Sequence, residues 1–274
     1  MSQTPDQIID PKIMRLARGV TRELVDGGAI AVVMTGSHVR GDAHSASDLD
    51  LIAIVPTKPS DEDRRGWLRP YRMRGGVLVS TAWETPRGAR GTFRDRRLAP
   101  TFVPGWREAV ILYDPSGVAA RLKRAAGRWT WDVIAGASDR WVAQQITGLA
   151  EEVHKLAGTL AASMTHVAAA QRSILAVHLA GTMAERHRIL FGSDNVLWDL
   201  VSERMGEPWA STQARALSEH GESLEESCQA ALALYSLAAA AARALLDRHQ
   251  RAVVDAACDL TPGPFPKGKG RRRQ

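Results

Sequence analysis

Residues 36–50 hold the side chains with the clearest chemical capability: Gly36-Ser37-His38-Val39-Arg40-Gly41, then Ser47-Asp48-Leu49-Asp50. Gly36 lacks a Cβ, so the backbone there can approach an anion closely. Ser37 brings a hydroxyl and an amide to the expected start of a helical turn, where free N–H groups favour phosphate. Arg40 can grip a phosphate as a charged fork, and Gly41 permits a tight return. Asp48 and Asp50 stand two apart in a run that reads as a strand, so their carboxylates share one face with Cα atoms roughly 6.5–7 Å apart. Two carboxylates so placed can chelate Mg²⁺, and can hold two ions roughly 3.5–4 Å apart. Magnesium prefers carboxylate oxygens together with substrate phosphates. One half of the segment therefore suits a polyphosphate, and the other suits the metal that bridges it. A Walker A loop is excluded, because Gly41 is followed by Asp42-Ala43 and not by Lys and Ser/Thr.

The elements that must position these residues are legible nearby. Asp10-Pro11 reads as an N-cap with proline at the first helical position. Ile13, Leu16, Val20 and Leu24 follow at helical spacing, and Gly27-Gly28 ends the helix. Ala29 to Thr35 is a short apolar run between glycines, hence a buried strand. Asp48 to Val55 is a second strand, apolar on both faces beyond the acidic pair and therefore central. Gly76 to Trp83 and Ala109 to Tyr113 read as two more, and Asp114-Pro115-Ser116-Gly117 as a turn. From Val118 to about Ala257 only helical periods remain. Trp141, Ile146, Leu149, Val153, Leu156 and Leu160 mark a long amphipathic helix. Ala168 to Leu190 is apolar almost all round and reads as the central helix of a bundle. The expected fold class is α+β: a small mixed-sheet domain over residues 1–117, an all-α bundle over 118–258, and a disordered basic tail over 259–274.

The string G-S-x-x-x-G, then S-D-x-D inside an apolar strand, resembles the signature of the DNA polymerase β-like nucleotidyltransferase superfamily. The helical second half is similar to the small-molecule branch, typified by kanamycin and other aminoglycoside nucleotidyltransferases. That resemblance is sharp over about Ala29 to Val55 and architectural over the rest. It implies that Gly36, Ser37, Arg40 and Ser47 bind ATP or another NTP, and that Asp48 and Asp50 ligate Mg²⁺. It further implies transfer of a nucleoside monophosphate to a substrate hydroxyl with release of pyrophosphate. A homodimer with a shared site is another implication of the kanamycin-type resemblance.

The sequence also departs from the family. Many members carry a third carboxylate on the next strand, where this chain has Leu78 or Ser80; Glu84 arrives only at the strand's end, as a substitute or as a solvated turn residue. The kanamycin-type enzymes draw a glutamate base from a helix of the second domain, and the corresponding position is Lys155. Around that helix Glu151 points away from the buried stripe, while Glu152 lies on its flank in line with Gln145 and Thr159. A flank can border a cleft, where Glu152 could take the proton of a substrate hydroxyl. The competing reading of Glu152 is a surface ion pair with Lys155. His154 and His187 read as structural or solvated, and Trp129, Trp131 and Trp141 as core.

Bulk properties set the remaining bounds. The net charge of +6 is a tail property, since Lys267, Lys269 and Arg271 to Arg273 supply five charges with no acid among them. The rest of the chain, at +1, argues against a long nucleic-acid substrate. Two cysteines, Cys228 and Cys258, are too few for a disulfide framework and suit a reduced cytoplasm. No apolar run reads as long enough to span a bilayer. The leading expectation is a cytoplasmic, Mg²⁺-dependent enzyme acting on a small hydroxylated molecule, an aminoglycoside-like antibiotic being the model acceptor. The alternatives are an antitoxin-like enzyme that adenylylates a protein, and a degenerate nucleotide-binding module. A HEPN-like ribonuclease role for the bundle is a third, motivated by Arg172 and His178 on one helix; six helical residues set those side chains roughly 120° apart.

Overall fold

The computed structural model describes residues 9–58, 60 and 70–261, and the chain divides into two compact units, Met1–Ile134 and Ala135–Gln274. The first opens with α1 (Pro11–Asp26). Pro11 occupies its first position and the Asp10 carboxylate accepts the Lys12 amide at 2.6 Å, as an N-cap requires. Ile13, Ala17, Val20 and Leu24 form its buried stripe. That stripe packs on a five-stranded mixed sheet. β1 (Ala31–Thr35) pairs antiparallel with β2 (Leu49–Ile54), Thr35 lying opposite Asp50. β3 (Tyr71–Arg74) and β4 (Val77–Glu84) form a hairpin through Gly75 and Gly76, both at positive φ, as the tightest hairpin turns demand. β4 runs parallel to β2, and the order across the sheet is β3-β4-β2-β1-β5, with β5 (Val110–Tyr113) antiparallel to β1.

Alternation along the strands divides the residues between two faces. Val32, Met34, Leu49, Leu51, Ala53, Val79 and Trp83 share one buried cluster with α1. Val33, Ile52, Ile54 and Asp50 point the other way. On that side pack α4 (Ala99–Glu108) and α5 (Val118–Arg128), with α3 (Pro86–Thr92) against α5. The expected domain boundary at 117 falls inside this unit. Val118, Ala119, Leu122 and Ala126 of α5 are buried, and Arg107 donates to the carbonyls of Ala126 and Trp129 at 2.9 and 2.8 Å. Trp129 in turn donates to the Phe93 carbonyl at 2.7 Å, which makes it a core residue.

The second unit is helical: α6 (Ala135–Ala161), α7 (Thr165–Arg186), α8 (Asp194–Met205), α9 (Glu207–Ala216), α10 (Leu224–Ala242) and α11 (Arg248–Cys258). Ser223 and Glu226 start α10 with a capping box. It packs against α6, α7, α9 and α11, and the Tyr235 hydroxyl donates to the Ile146 carbonyl at 2.9 Å. Leu224–Leu245 is long and apolar enough to cross a membrane by length and composition, contrary to the sequence expectation, yet 56% of that window is buried within the protein. α10, and not the stretch from Ala168, is thus the helix enclosed by its neighbours. α7 leaves Val167, Ile174 and Val177 exposed on one side. The basic tail from Pro262 onward lies outside the described residues.

Candidate functional site

β1 delivers the chain to Gly36 at φ 80° and ψ −164°, a backbone region that is essentially glycine's alone. A Cβ there would also overlap the Asp50 carboxylate. One helical turn, α2 (Ser37–Arg40), follows. The Gly36 carbonyl accepts the amides of Val39 and Arg40, each at 3.1 Å, and Gly41, at φ 87°, returns its amide to the Ser37 carbonyl at 2.8 Å. The amides of Ser37 and His38 precede Val39, the first residue to donate within the turn, so the turn's own hydrogen bonds use neither.

Asp48 immediately precedes β2 and Asp50 is its second residue, flanked by Thr35 on β1 and Ser80 on β4. Burial, foremost, and the neighbouring Asp48 charge push the Asp50 carboxyl up to about 6, against the opposing pull of Arg40 and a hydrogen bond from Ser80. The pair is therefore a partly desolvated, self-repelling set of hard oxygen donors, which a divalent cation would relieve. Among the described residues no three His, Cys, Asp or Glu side chains gather into a metal cluster. A cation here would take two protein carboxylates and complete its shell with phosphate and water, as magnesium commonly does.

The sheet register settles the question of the third acid. Ser80, not Leu78, lies beside Asp50, and Leu78 is exposed. Glu84 lies beside Ile54, four residues further on and about 13 Å along the strand. It pairs with Lys58 at 3.1 Å. Glu84 is too distant to replace the missing carboxylate and belongs to the far end of the sheet.

The other expected site residues are differently placed. Arg40 donates to Asp42 through Nε and Nη2, both at 3.2 Å, while staying within electrostatic range of Asp50. Ser47 accepts the His44 amide at 2.9 Å and closes the loop before the acidic pair. Glu108, at the end of α4, was not singled out by sequence. Continuing the β1–β5 register from Met34 opposite Val110 sets Glu108 opposite Gly36. Burial of its carboxyl pushes its pKa up, while Arg40 pulls it down and Asp42 raises it, so it stands at the same rim. The available signal was an acid just ahead of a short apolar strand.

Glu152 belongs to α6 in the second unit. Its carboxylate is ion-paired to Lys155 at 3.0 Å, and Lys155 also pairs with Glu151 at 2.8 Å. Arg172 donates to the hydroxyls of Ser218 and Ser227 at 3.1 and 2.9 Å, while His178 is exposed. The two side chains do not converge, which removes the basis for a HEPN-like site.

Residues 14–75 match the family model of the nucleotidyltransferase domain. No curated protein matches the chain. Among solved structures, a nucleotidyltransferase-like protein from Exiguobacterium sibiricum 255-15 is 14% identical, with 83% of this chain and 75% of that one covered at a TM-score of 0.48. The matched segment contains the Gly36 turn and both aspartates, so the similarity to nucleotidyltransferase domains falls on the candidate site itself.

Proposed function

We propose that the protein moves a nucleoside monophosphate from a Mg²⁺-bound nucleoside triphosphate to a hydroxyl of a small molecule, with an aminoglycoside-like antibiotic as the model acceptor, releasing pyrophosphate. The observation that carries this reading is the juxtaposition of Gly36 with Asp50: the turn that can receive a polyphosphate touches the carboxylate that can hold its metal. Asp48 and Asp50 would hold magnesium, which supplies charge neutralisation at the phosphates when bound. Gly36 and the amides of Ser37 and His38 would cradle the triphosphate, and Arg40 would reach it after leaving Asp42.

The acceptor's proton needs a base. Glu152 is assigned that role here, with Lys155 as its present partner, and Glu108 is assigned to holding Arg40 in place. The free thiols of Cys228 and Cys258 suit a cytoplasmic setting.

The test is a pyrophosphate-release screen with Mg²⁺, each NTP, and a panel of aminoglycosides and lincosamides, run beside Asp48→Asn and Asp50→Asn. Both variants are expected to be inactive; activity surviving in both would sink the reading. Label from ATP appearing on a polypeptide would favour a protein acceptor. The placement of Ser80 beside Asp50 also supports a second reading, a nucleotide-binding module without transfer. Mg²⁺-dependent binding without turnover on any acceptor would select it.

A further inference from the structure

In the helical unit, the chain turns back after α10 and runs along it in reverse. Arg243, just past α10, donates to Asp255 of α11 at 2.7 Å, and the hydroxyls of Ser236 and Thr261 share a hydrogen bond at 2.6 Å. The later residue of α11 and its end thus meets the earlier position on α10, so the chain passes Thr261 heading for the N-terminus of α10. Directly ahead lies a groove of about 830 Å³, whose wall already includes Leu260 and Thr261. Glu225, Gln229 and Leu232 of α10 line it and continue the Ser236 stripe at helical spacing. Ala157, Leu160 and Ala161 from the end of α6 line it as well.

The groove is largely apolar and carries a single charge. Leu160 and Leu224 pack on the core of the bundle yet stay half-buried, and Leu260 is exposed. Glu225 is the one charged side chain in the lining; it is exposed and has no cationic partner among the described residues. Gln229 Nε2 donates to it at 3.3 Å, a neutral contact that leaves its charge unbalanced. An apolar group followed at a set distance by a cation would complement this surface. The chain that continues from Thr261 reads Pro262-Gly263-Pro264-Phe265-Pro266-Lys267.

The lengths of groove and chain correspond. Measured along α10 from Ser236, Leu232, Gln229 and Glu225 lie at roughly 6, 10 and 16 Å. Prolines at every second position favour a polyproline-type backbone, which from Thr261 carries Phe265 and Lys267 forward by roughly 12 and 19 Å. Phe265 then falls short of Glu225, at the level of the half-buried leucines, and Lys267 falls just past it, with a side chain long enough to reach back. We infer that residues 262–267 dock in this groove as a strap, with the Phe265 ring on Leu160 and Leu224 and the Lys267 ammonium paired with Glu225. The prolines carry no N–H, so the strap leaves few backbone donors to satisfy against an apolar wall. Docked in this way it ties the end of α11 across α6 and α10.

The experiment measures backbone order parameters and side-chain NOEs by NMR on the full-length protein, in the wild type, Phe265→Ala, Glu225→Lys, Lys267→Glu and the double charge reversal. In the wild type the amides of Phe265 and Lys267 are expected near the rigid value of about 0.85, with NOEs from the Phe265 ring to the methyls of Leu160 and Leu224. Each single substitution should drop the amide at position 267 below about 0.6, and the double reversal should restore it. Glu225 stands in the first turn of α10, where a lysine also opposes the helix dipole. Restoration in the double reversal separates the ion pair from that effect. Four results would each overturn the proposal: flexible amides at 265 and 267 in the wild type, order kept in Glu225→Lys, no restoration in the double reversal, or ring NOEs found only between differently labelled copies in an isotope-mixed sample. None of these readouts involves nucleotide or Mg²⁺, so they are independent of pyrophosphate release.

Discussion

At Asp50, burial beside Asp48 raises the carboxyl to about 6, above the ordinary value of 3.8 that it regains on unfolding. The folded chain thus holds this proton more tightly, and stability falls as pH rises from about 4 through about 6. Asparagine at this position has no such proton. In the metal-free protein, the melting temperature of Asp50→Asn minus that of the wild type is expected to grow across that window and level off above it. A difference independent of pH would show that Asp50 is not strained by its surroundings. Gly36 carries the complementary constraint. Gly36→Ala is expected to destabilise the fold by about 1–3 kcal/mol from its backbone region alone. It should also abolish Mg²⁺-dependent nucleotide binding by displacing the Asp50 carboxylate, an effect measurable by denaturant unfolding and nucleotide titration.

The strand β4 decides which side chain can join the acidic pair, because its parallel register to β2 sets Ser80 beside Asp50 and moves Glu84 beyond reach. Ser80→Asp is expected to lower the Mg²⁺ concentration for half-maximal pyrophosphate release, and Glu84→Gln to leave it unchanged. The reverse pattern would refute the register argument. On α6, the assignment of Glu152 predicts that Glu152→Gln lowers kcat by roughly 10²–10⁴-fold, the usual contribution of a general base. Glu108→Gln should instead raise KM for the NTP through Arg40. If the loss of kcat falls on Glu108→Gln alone, the base belongs to the first unit. Two kinds of element escaped the sequence. β3 reads Tyr71-Arg72-Met73-Arg74, and its apolar residues Tyr71 and Met73 are exposed while Arg72 and Arg74 pair with Glu23, so no buried alternation announces a strand. α3 and α4 begin near Pro86 and Pro100, and Pro104 lies inside α4; those prolines punctuate the sequence like a loop, although proline fits a helix's first turn.

The two compact units set what a fragment should do. Residues 1–134 contain Gly36, Ser37, Asp48 and Asp50, whereas Glu152 lies beyond them. A chain ending at Ile134 is expected to keep Mg²⁺-dependent nucleotide binding and lose transfer; transfer retained at the full rate would remove Glu152 from the chemistry. Local physics made much of the molecule readable from sequence. The Asp10-Pro11 cap, the apolar runs that became β1 and β2, the glycines at Gly36 and Gly41, and the two-residue spacing of Asp48 and Asp50 each depend on near neighbours. So does the helical period beyond Val118. The boundary at 117 misplaced α5, because its apolar stripe has the same period whether it packs in a bundle or, as here, against α4 and β1. The identity of Ser80 as Asp50's neighbour, the exclusion of Glu84 and the arrival of Glu108 at Arg40 follow from strand pairing between segments far apart in the chain, as in Asp50 with Ser80 and Met34 with Val110. The sequence by itself determined which residues could bind phosphate and metal. Only the tertiary structure decided which of the remaining acids stand beside them, because register and sheet order are set by long-range pairing, which leaves no trace in local periodicity.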